Sequence, residues 1–478
     1  MTMRRRALLW SATALTLAGC KRKKDAVVPE VWDEAPVPER AEALGKLAPP
    51  WPAPARATLD SGLLTYWLHD PGATLAHVRL MLPDHDTDPF PALVIRSILG
   101  GLRKQVRRGL GRVGAHVSGS RRAGRVELVL SGPTEALPRM VSALALSVSR
   151  SPKGNRPLTQ ALLQTRARVA RDAAARTTLE VATAATVGAL LGASLDSQRI
   201  DPTRAESFDI DVLADAWSRL LDPRRCALVI HAAQAPQTAP RVLAGFERWS
   251  GSGRREAPDS SLGRLRWTPK DVSALGHVMT DGGSALLLPA EKAAGSAHLV
   301  MGCRLDTPTV GDRASARLAQ RLLGESQDAR LAIAGPTSVF TVATAVSDKS
   351  VESRAQSLVE SLSAMGRTRS PSQRLFTAAQ LWLGARVVQA SLEGEDWTAL
   401  WSESMDLATT EADIPRALAA DAAAMLALGP DPLAAWIAQQ LDPRLGNASW
   451  AWALAGSTDK MQRALSRMTK TRVIAPTA

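Results

Sequence analysis

The sequence of 478 residues predicts an α+β fold of two duplicated halves with helices packed on a mixed sheet. Three observations carry that expectation. Short apolar runs alternate along the chain with longer stretches of helical pattern. The pair Ala76-His77 in "GLLTYWLHDPGATLAHVRLML" returns 221 residues later as Ala297-His298 in "GSALLLPAEKAAGSAHLVMGC". Leu221-Asp222-Pro223-Arg224 returns 220 residues later as Leu441-Asp442-Pro443-Arg444. Two separated anchors with nearly one offset mark a duplication. The Gly/Ser/charged stretch "SGSGRREAPDSSLGR" between the copies reads as a linker.

The elements follow the same order in both copies. Strand-like runs come first, at 63–68 and 75–82, then at 284–289 and 297–303. A helix follows (90–110; 312–323), then a strand (125–131; 338–346) and a second helix (134–150; 349–365). Long helical regions (158–192; 372–428) lead to a helix ending in Leu-Asp-Pro-Arg, a strand and a short final helix. The proline after Asp222 and Asp442 stops each helix and turns the chain toward the strand.

The amino terminus reads as an address. A basic "MTMRRR" precedes the eleven apolar or small residues "ALLWSATALTL", then Ala18, Gly19 and Cys20. A membrane-spanning helix needs about 20 apolar residues, so this segment fits a cleavable leader. The tetrapeptide "LAGC" resembles the bacterial lipobox. That resemblance implies cleavage before Cys20, acylation of its thiol and attachment to a membrane through the lipid. Lys21 rather than Asp at the next position favours the outer membrane, facing the periplasm or the cell surface. The expected division is a signal peptide at 1–19, a Pro- and charge-rich tether at 20–56, a first half at 57–250, a linker at 251–274 and a second half at 275–478.

Composition narrows the partners. Hydrophobic residues at 45% and charged residues at 22% belong to an ordinary folded protein. A net charge of +13 raises the question of nucleic acid. The arginines read as spread along the chain with no ladder of aromatic side chains between them, so no nucleic-acid partner is expected. Cys226 and Cys303 lie in β-like runs and read as small buried hydrophobes, and sequence alone allows a disulfide between them. No Cys-x-x-Cys spacing suggests a metal.

Three phrases, "SGLLTYWLHDPGATLAHVRLMLP", "GAHVSGSRRAGRVELVLSGPTEALPRMVSALA" and "LADAWSRLLDPRRCALVIHAAQ", together resemble the insulinase-like (M16) metallopeptidase family. The resemblance covers 57–250 and, more weakly, 275–470. It implies two insulinase-like halves, each of two related α+β domains, enclosing a chamber. In active members the helix after the opening hairpin carries His-x-x-Glu-His. Two histidines one turn apart hold zinc, the Glu activates water, and a later Glu completes the ligand set. The corresponding helix is "PALVIRSILGGLRK", 91–104, whose face offers Val94, Ile95, Arg96, Ser97, Ile98 and Leu99. The downstream helix offers Gln164 and Thr165. Ile95, Arg96, Ser97, Ile98 and Leu99 therefore make a degenerate active-site helix, and no catalytic or metal-binding residue is assigned. Active members also use an Arg and a Tyr in the second half. "LLGESQDARLAIAGPTSVFTVATA" keeps Arg330, but the only tyrosine of the chain is Tyr66.

Other candidates read as structure. His69, His77 and His85 recur every eight residues, with "HDTD" at 85–88, but such spacing does not converge ligands on one point. "GGLRKQVRRGLGR" lacks the Gly-Lys-Ser/Thr of a phosphate loop, and its basic residues Arg103, Lys104, Arg107, Arg108 and Arg112 read as a solvated face. "SGSRRAG" at 118–124 gives no Ser-His-Asp signal. Trp397 and Trp401, one helical turn apart, read as packing. The expected function is a lipid-anchored envelope protein with a degenerate peptidase fold. It would bind or scaffold a partner such as an active M16 homologue and use no cofactor. The alternative is a zinc-dependent M16-type peptidase, or a subunit completed by a partner chain.

Overall fold

The computed structural model describes residues 54–83, 92–122, 125–174, 177–190, 209–250, 284–289, 297–307, 309–324, 328–334, 337–367, 375–383, 394–405, 414–443, 450–457, 460–461, 463 and 472–474. All lie within one compact unit, Arg40–Ala478. The signal peptide at 1–19, Cys20, nearly all of the tether, His85 and the linker at 251–274 lie outside the described residues.

The first half builds a six-stranded sheet from β1 (Ala55–Thr58), β2 (Leu64–His69), β3 (Leu75–Pro83), β4 (His116–Arg122), β5 (Arg125–Pro133) and β6 (Ala227–Ala232). Its order is β1-β2-β6-β3-β5-β4. The second half repeats the plan with β7 (Ser284–Pro289), β8 (Ala297–Asp306), β9 (Asp328–Ala334), β10 (Thr337–Val346), β11 (Trp450–Ser457) and β12 (Arg472–Ile474), in the order β12-β7-β11-β8-β10-β9. In each sheet the strand next to the edge pairs parallel with the last long strand, β2 with β6 and β7 with β11. Ala76-His77 and Ala297-His298 both open the central antiparallel strand, β3 or β8. Only the edge differs, since β1 comes from the start of its half and β12 from the end. The related α+β domains expected inside each half are, among the described residues, the two halves themselves.

Helices cover both faces. In the first half these are α1 (Ala92–Leu110), α2 (Leu137–Val148), α3 (Arg156–Ala174), α4 (Thr178–Leu190) and α5 (Ile210–Leu220). In the second they are α6 (Val310–Gly324), α7 (Val351–Arg367), α8 (Gly394–Met405), α9 (Ile414–Ala427) and α10 (Pro430–Gln440). Caps fix where several begin. Asp209 Oδ1 accepts from Val212 N at 2.9 Å at the start of α5. Thr177 and Glu180 form a reciprocal capping box that starts α4 and divides the helical region expected as one piece over 158–192. Gly111, at φ +61°, ends α1 in the left-handed conformation that side chains avoid.

One face of the first sheet carries α1, α2 and α5 on a shared core that includes Leu63, Val78, Leu80, Leu128 and Ile230. The opposite face is covered by α8 from the other half. Trp397 and Trp401 of α8 pack there with Tyr66, Leu68, Met81 and Val229. The second sheet receives α4 in return, through Ala182, Leu190, Val300, Val339 and Ala453. The repeated histidines lie where these exchanged helices begin. His298 Nδ1 meets Thr178 Oγ1 at 2.7 Å. Gly394, the first residue of α8, lies so close against the His231 ring beside His77 that no Cβ would fit. Each half thus lends one helix to close its neighbour's sheet.

Asp222 and Asp442 keep matching places at the ends of α5 and α10, both buried. Asp222 accepts from Arg224 N and pairs with its guanidinium at 2.8 Å, whereas Asp442 accepts from Ser363 Oγ at 2.7 Å. Cys226 and Cys303 are buried free thiols, so the disulfide that sequence allows does not form. Burial pushes both thiols well above their usual pKa.

Candidate functional site

α1 carries the candidate residues, and its packing decides what they can do. Val94, Ile95, Ile98 and Leu99 belong to the core beneath the helix, together with Leu102, Val106 and Leu110. Ser97 is fully buried and Arg96 is half-buried. Helical geometry brings side chains four apart onto one face. The pairs available are Val94 with Ile98, Ile95 with Leu99, Arg96 with Gly100, and Ser97 with Gly101. None offers two donors to a metal.

The second helix of the candidate site is α3, which crosses α1 at Gly100 and Gly101. A Cβ on Gly101 would come within 2.5 Å of Leu162 Cδ2, and one on Gly100 would overlap the Thr165 methyl. The two glycines therefore let the helices approach backbone to side chain. Thr165 Oγ1 donates back to Ala161 O of its own helix at 2.7 Å. Gln164 Oε1 accepts from Lys104 Nζ at 2.5 Å. Both residues near the expected third ligand are thus engaged, one in its own helix and one with α1.

The second-half candidates are no closer to a shared site. Arg330 lies on β9 and donates twice to Asp328, at 3.0 Å each, which raises its guanidinium above the usual value. Tyr66 lies on β2, buried under α8 with its ring 5.7 Å from that of Trp401. Trp397 and Trp401 stack at 5.1 Å, consistent with packing. The histidines diverge: His69 Nδ1 meets Gln234 O at 3.2 Å, whereas His77 Nδ1 meets Ser131 Oγ at 3.0 Å. Among the described residues no cluster of three or more His, Cys, Asp or Glu is placed to hold a metal.

Sequence reading missed a buried polar cluster under α8. Arg79 on β3 pairs with Glu127 on β5 at 2.5 Å, and both are almost wholly buried. Ser402 Oγ of α8 donates to Glu127 Oε1 at 2.6 Å, and Arg79 Nε donates to Thr398 Oγ1 at 3.3 Å. Beside it, His231 Nε2 lies 3.3 Å from Asp70 Oδ2. Burial lowers the pKa of His231, with Asp70 opposing that shift. The signal was present in the alternation of "AHVRLML", which puts His77 and Arg79 on one face of β3.

No family model and no curated protein sequence matches this sequence. Solved structures are more informative. A protease from Helicobacter pylori superposes with a TM-score of 0.64 at 10% identity, covering 84% of this chain and 99% of that one. The peptidase M16 inactive domain from Pseudomonas fluorescens gives 0.59 at 11% identity, covering 84% and 98%. The chain has the fold of the M16 peptidases. The first half of the periplasmic protease PqqL from Escherichia coli gives 0.55 at 12% identity, covering 89% and 98%. The zinc ligands that the sequence resemblance implies would fall on α1 and α3, and the residues present there do not fit a metal. An apolar α1 face and a glycine crossing leave no donor set to arrange.

The crossing gives a direct test. Gly100→Val should force α1 away from Thr165 and destabilise the fold by about 1–3 kcal/mol, the usual penalty of overpacking. Gly324→Ala, where nothing lies within 4 Å, should leave stability almost unchanged. Thermal denaturation of both variants reads the difference. Equal melting temperatures would mean that the α1–α3 contact is not tight.

Proposed function

We propose that this protein is a lipid-anchored, non-catalytic member of the M16 fold that binds or scaffolds a partner in the cell envelope, such as an active M16 peptidase. One observation carries the reading: the helix that should hold zinc buries Val94, Ile95, Ile98 and Leu99 in the core instead. A peptidase of this kind needs three protein ligands and a bound water made acidic by the metal. Arg96 is the only charged side chain in the degenerate stretch 95–99, and it has the sign that repels a divalent cation. The fold is compatible with silence, since one similar structure is described as an inactive M16 domain.

The anchor rests on "LAGC" at Cys20. No described helix is long and apolar enough to cross a membrane. Acyl chains on Cys20 would then supply the attachment, each buried CH₂ contributing about 0.8 kcal/mol.

Two measurements test this reading. The purified protein should cleave no quenched-fluorescence peptide library, whether zinc or a chelator is added. Activity lost on chelation and restored by zinc would make it an enzyme. Cys20→Ser should abolish incorporation of a labelled fatty acid and move the protein from the membrane to the soluble fraction. Equal labelling of wild type and variant would reject the anchor.

A further inference from the structure

Positive charge is not spread evenly along this chain, contrary to the first reading of its composition. Residues 91–171 hold sixteen Lys and Arg against two acidic residues, Glu127 and Glu135, a net charge of +14 beside +13 for the whole protein. The rest of the sequence is close to neutral. Wide spacing between the arginines conceals the concentration. The fold brings part of it together, because α1 packs against both α3 and the edge strand β4.

On α1, Arg103 lies along β4, with its Cδ 3.2 Å from where a Cβ on Gly119 would stand. Its Nε is buried and has no hydrogen-bond partner among the described residues. Arg107, one turn on, donates to Val117 O at 3.2 Å. Burial lowers the pKa of Arg103, and the like charges of Arg107 and Arg168 lower it further. Among the described residues no carboxylate pairs with Arg103, Lys104, Arg107, Arg108 or Arg112. A buried donor without an acceptor and crowded like charges are both unfavourable. An incoming anion would relieve both.

We propose that the corner where α1 meets α3 and β4, centred on Arg103 and Arg107, binds the carboxylates of an acidic polypeptide segment on the partner. The proposal rests on the partner-binding reading above and names the chemistry of that partner. Fourteen of the sixteen cations are arginine, whose planar fork matches a carboxylate through two parallel hydrogen bonds. Nucleic acid is disfavoured, because residues 91–171 contain no Phe, Trp or Tyr on which a base could stack. A bilayer surface is disfavoured because Arg103 is recessed against β4, where a thin chain reaches more readily than a plane of headgroups.

The test uses the full chain in a neutral detergent. Fluorescence anisotropy follows a labelled octaglutamate peptide and its octaglutamine counterpart, and flotation follows vesicles of phosphatidylglycerol. The glutamate peptide should bind saturably and more weakly as salt rises, and the glutamine peptide should not bind. Arg103→Gln with Arg107→Gln should weaken binding about tenfold or more, while Arg248→Gln, an exposed position elsewhere, should not. Arg107→Gln alone, also exposed, should act in the same direction and serves if the double variant does not fold. Unchanged binding in these variants would overturn the proposal. So would binding to vesicles or inorganic phosphate without binding to the glutamate peptide. Zinc-dependent cleavage would reject the non-catalytic reading and leave the arginine result standing, so the two failures are distinguishable.

Discussion

The burial of one face of α1 against the first sheet is the contact on which the rest of this structure depends. Val94, Ile95, Ile98, Leu99, Leu102, Val106 and Leu110 recur at helical spacing and all enter one core. Fully burying side chains of this kind contributes about 1.5–3 kcal/mol each. A metal site at the same place would ask for buried polar groups, which destabilise unless a metal or hydrogen bonds satisfy them. Apolar residues remove that dependence. The helix packs without needing an ion, and the same side chains offer no donor to one. Packing also fixes the outer side of α1, since a helix with this face inward turns Arg107 and Arg108 toward solvent.

A second constraint is reciprocity between the halves. A sheet with one face open would expose apolar side chains to water, and each sheet here is closed by a helix from the other half. α8 brings Trp397 and Trp401 to the first sheet, together with Thr398 and Ser402 for the buried Arg79–Glu127 pair. Removing one partner of a buried pair is expensive because the other charge stays behind unpaired. The polar cluster therefore fixes where α8 docks, while the two tryptophans pack on the apolar side chains around it. α4 does the same work with small residues: Gly302 on β8 leaves room for Thr186, whose methyl would stand 2.5 Å from any Cβ there.

Much of this was legible in the sequence. The Ala-His and Leu-Asp-Pro-Arg repeats located the duplication, because a repeated α+β unit must repeat its strand ends and its helix stop. Runs such as "SALLLP" and "LAHVRLMLP" gave β7 and β3, since they are apolar and bounded by turn residues. The edge strands β4 and β9 were not found. "HVSGSRR" is polar and glycine-containing, as an edge that faces solvent can be, so it lacks the apolar signal of a central strand. The crossing of α4 and α8 between halves was also hidden, because long-range packing leaves no local pattern. At the candidate site, the missing donors could be read directly from "ALVIRSILGG". The role of Gly100 and Gly101 could not, because it depends on where Leu162 and Thr165 arrive.

The central claim is that packing has replaced metal binding on α1. Metal content of the full chain, purified after growth with added zinc and measured by mass spectrometry alongside protein concentration, tests it most directly. The account predicts far less than one zinc per chain and a melting temperature that a chelator does not change. One zinc held per chain, with a melting temperature that falls when the metal is removed, would contradict it.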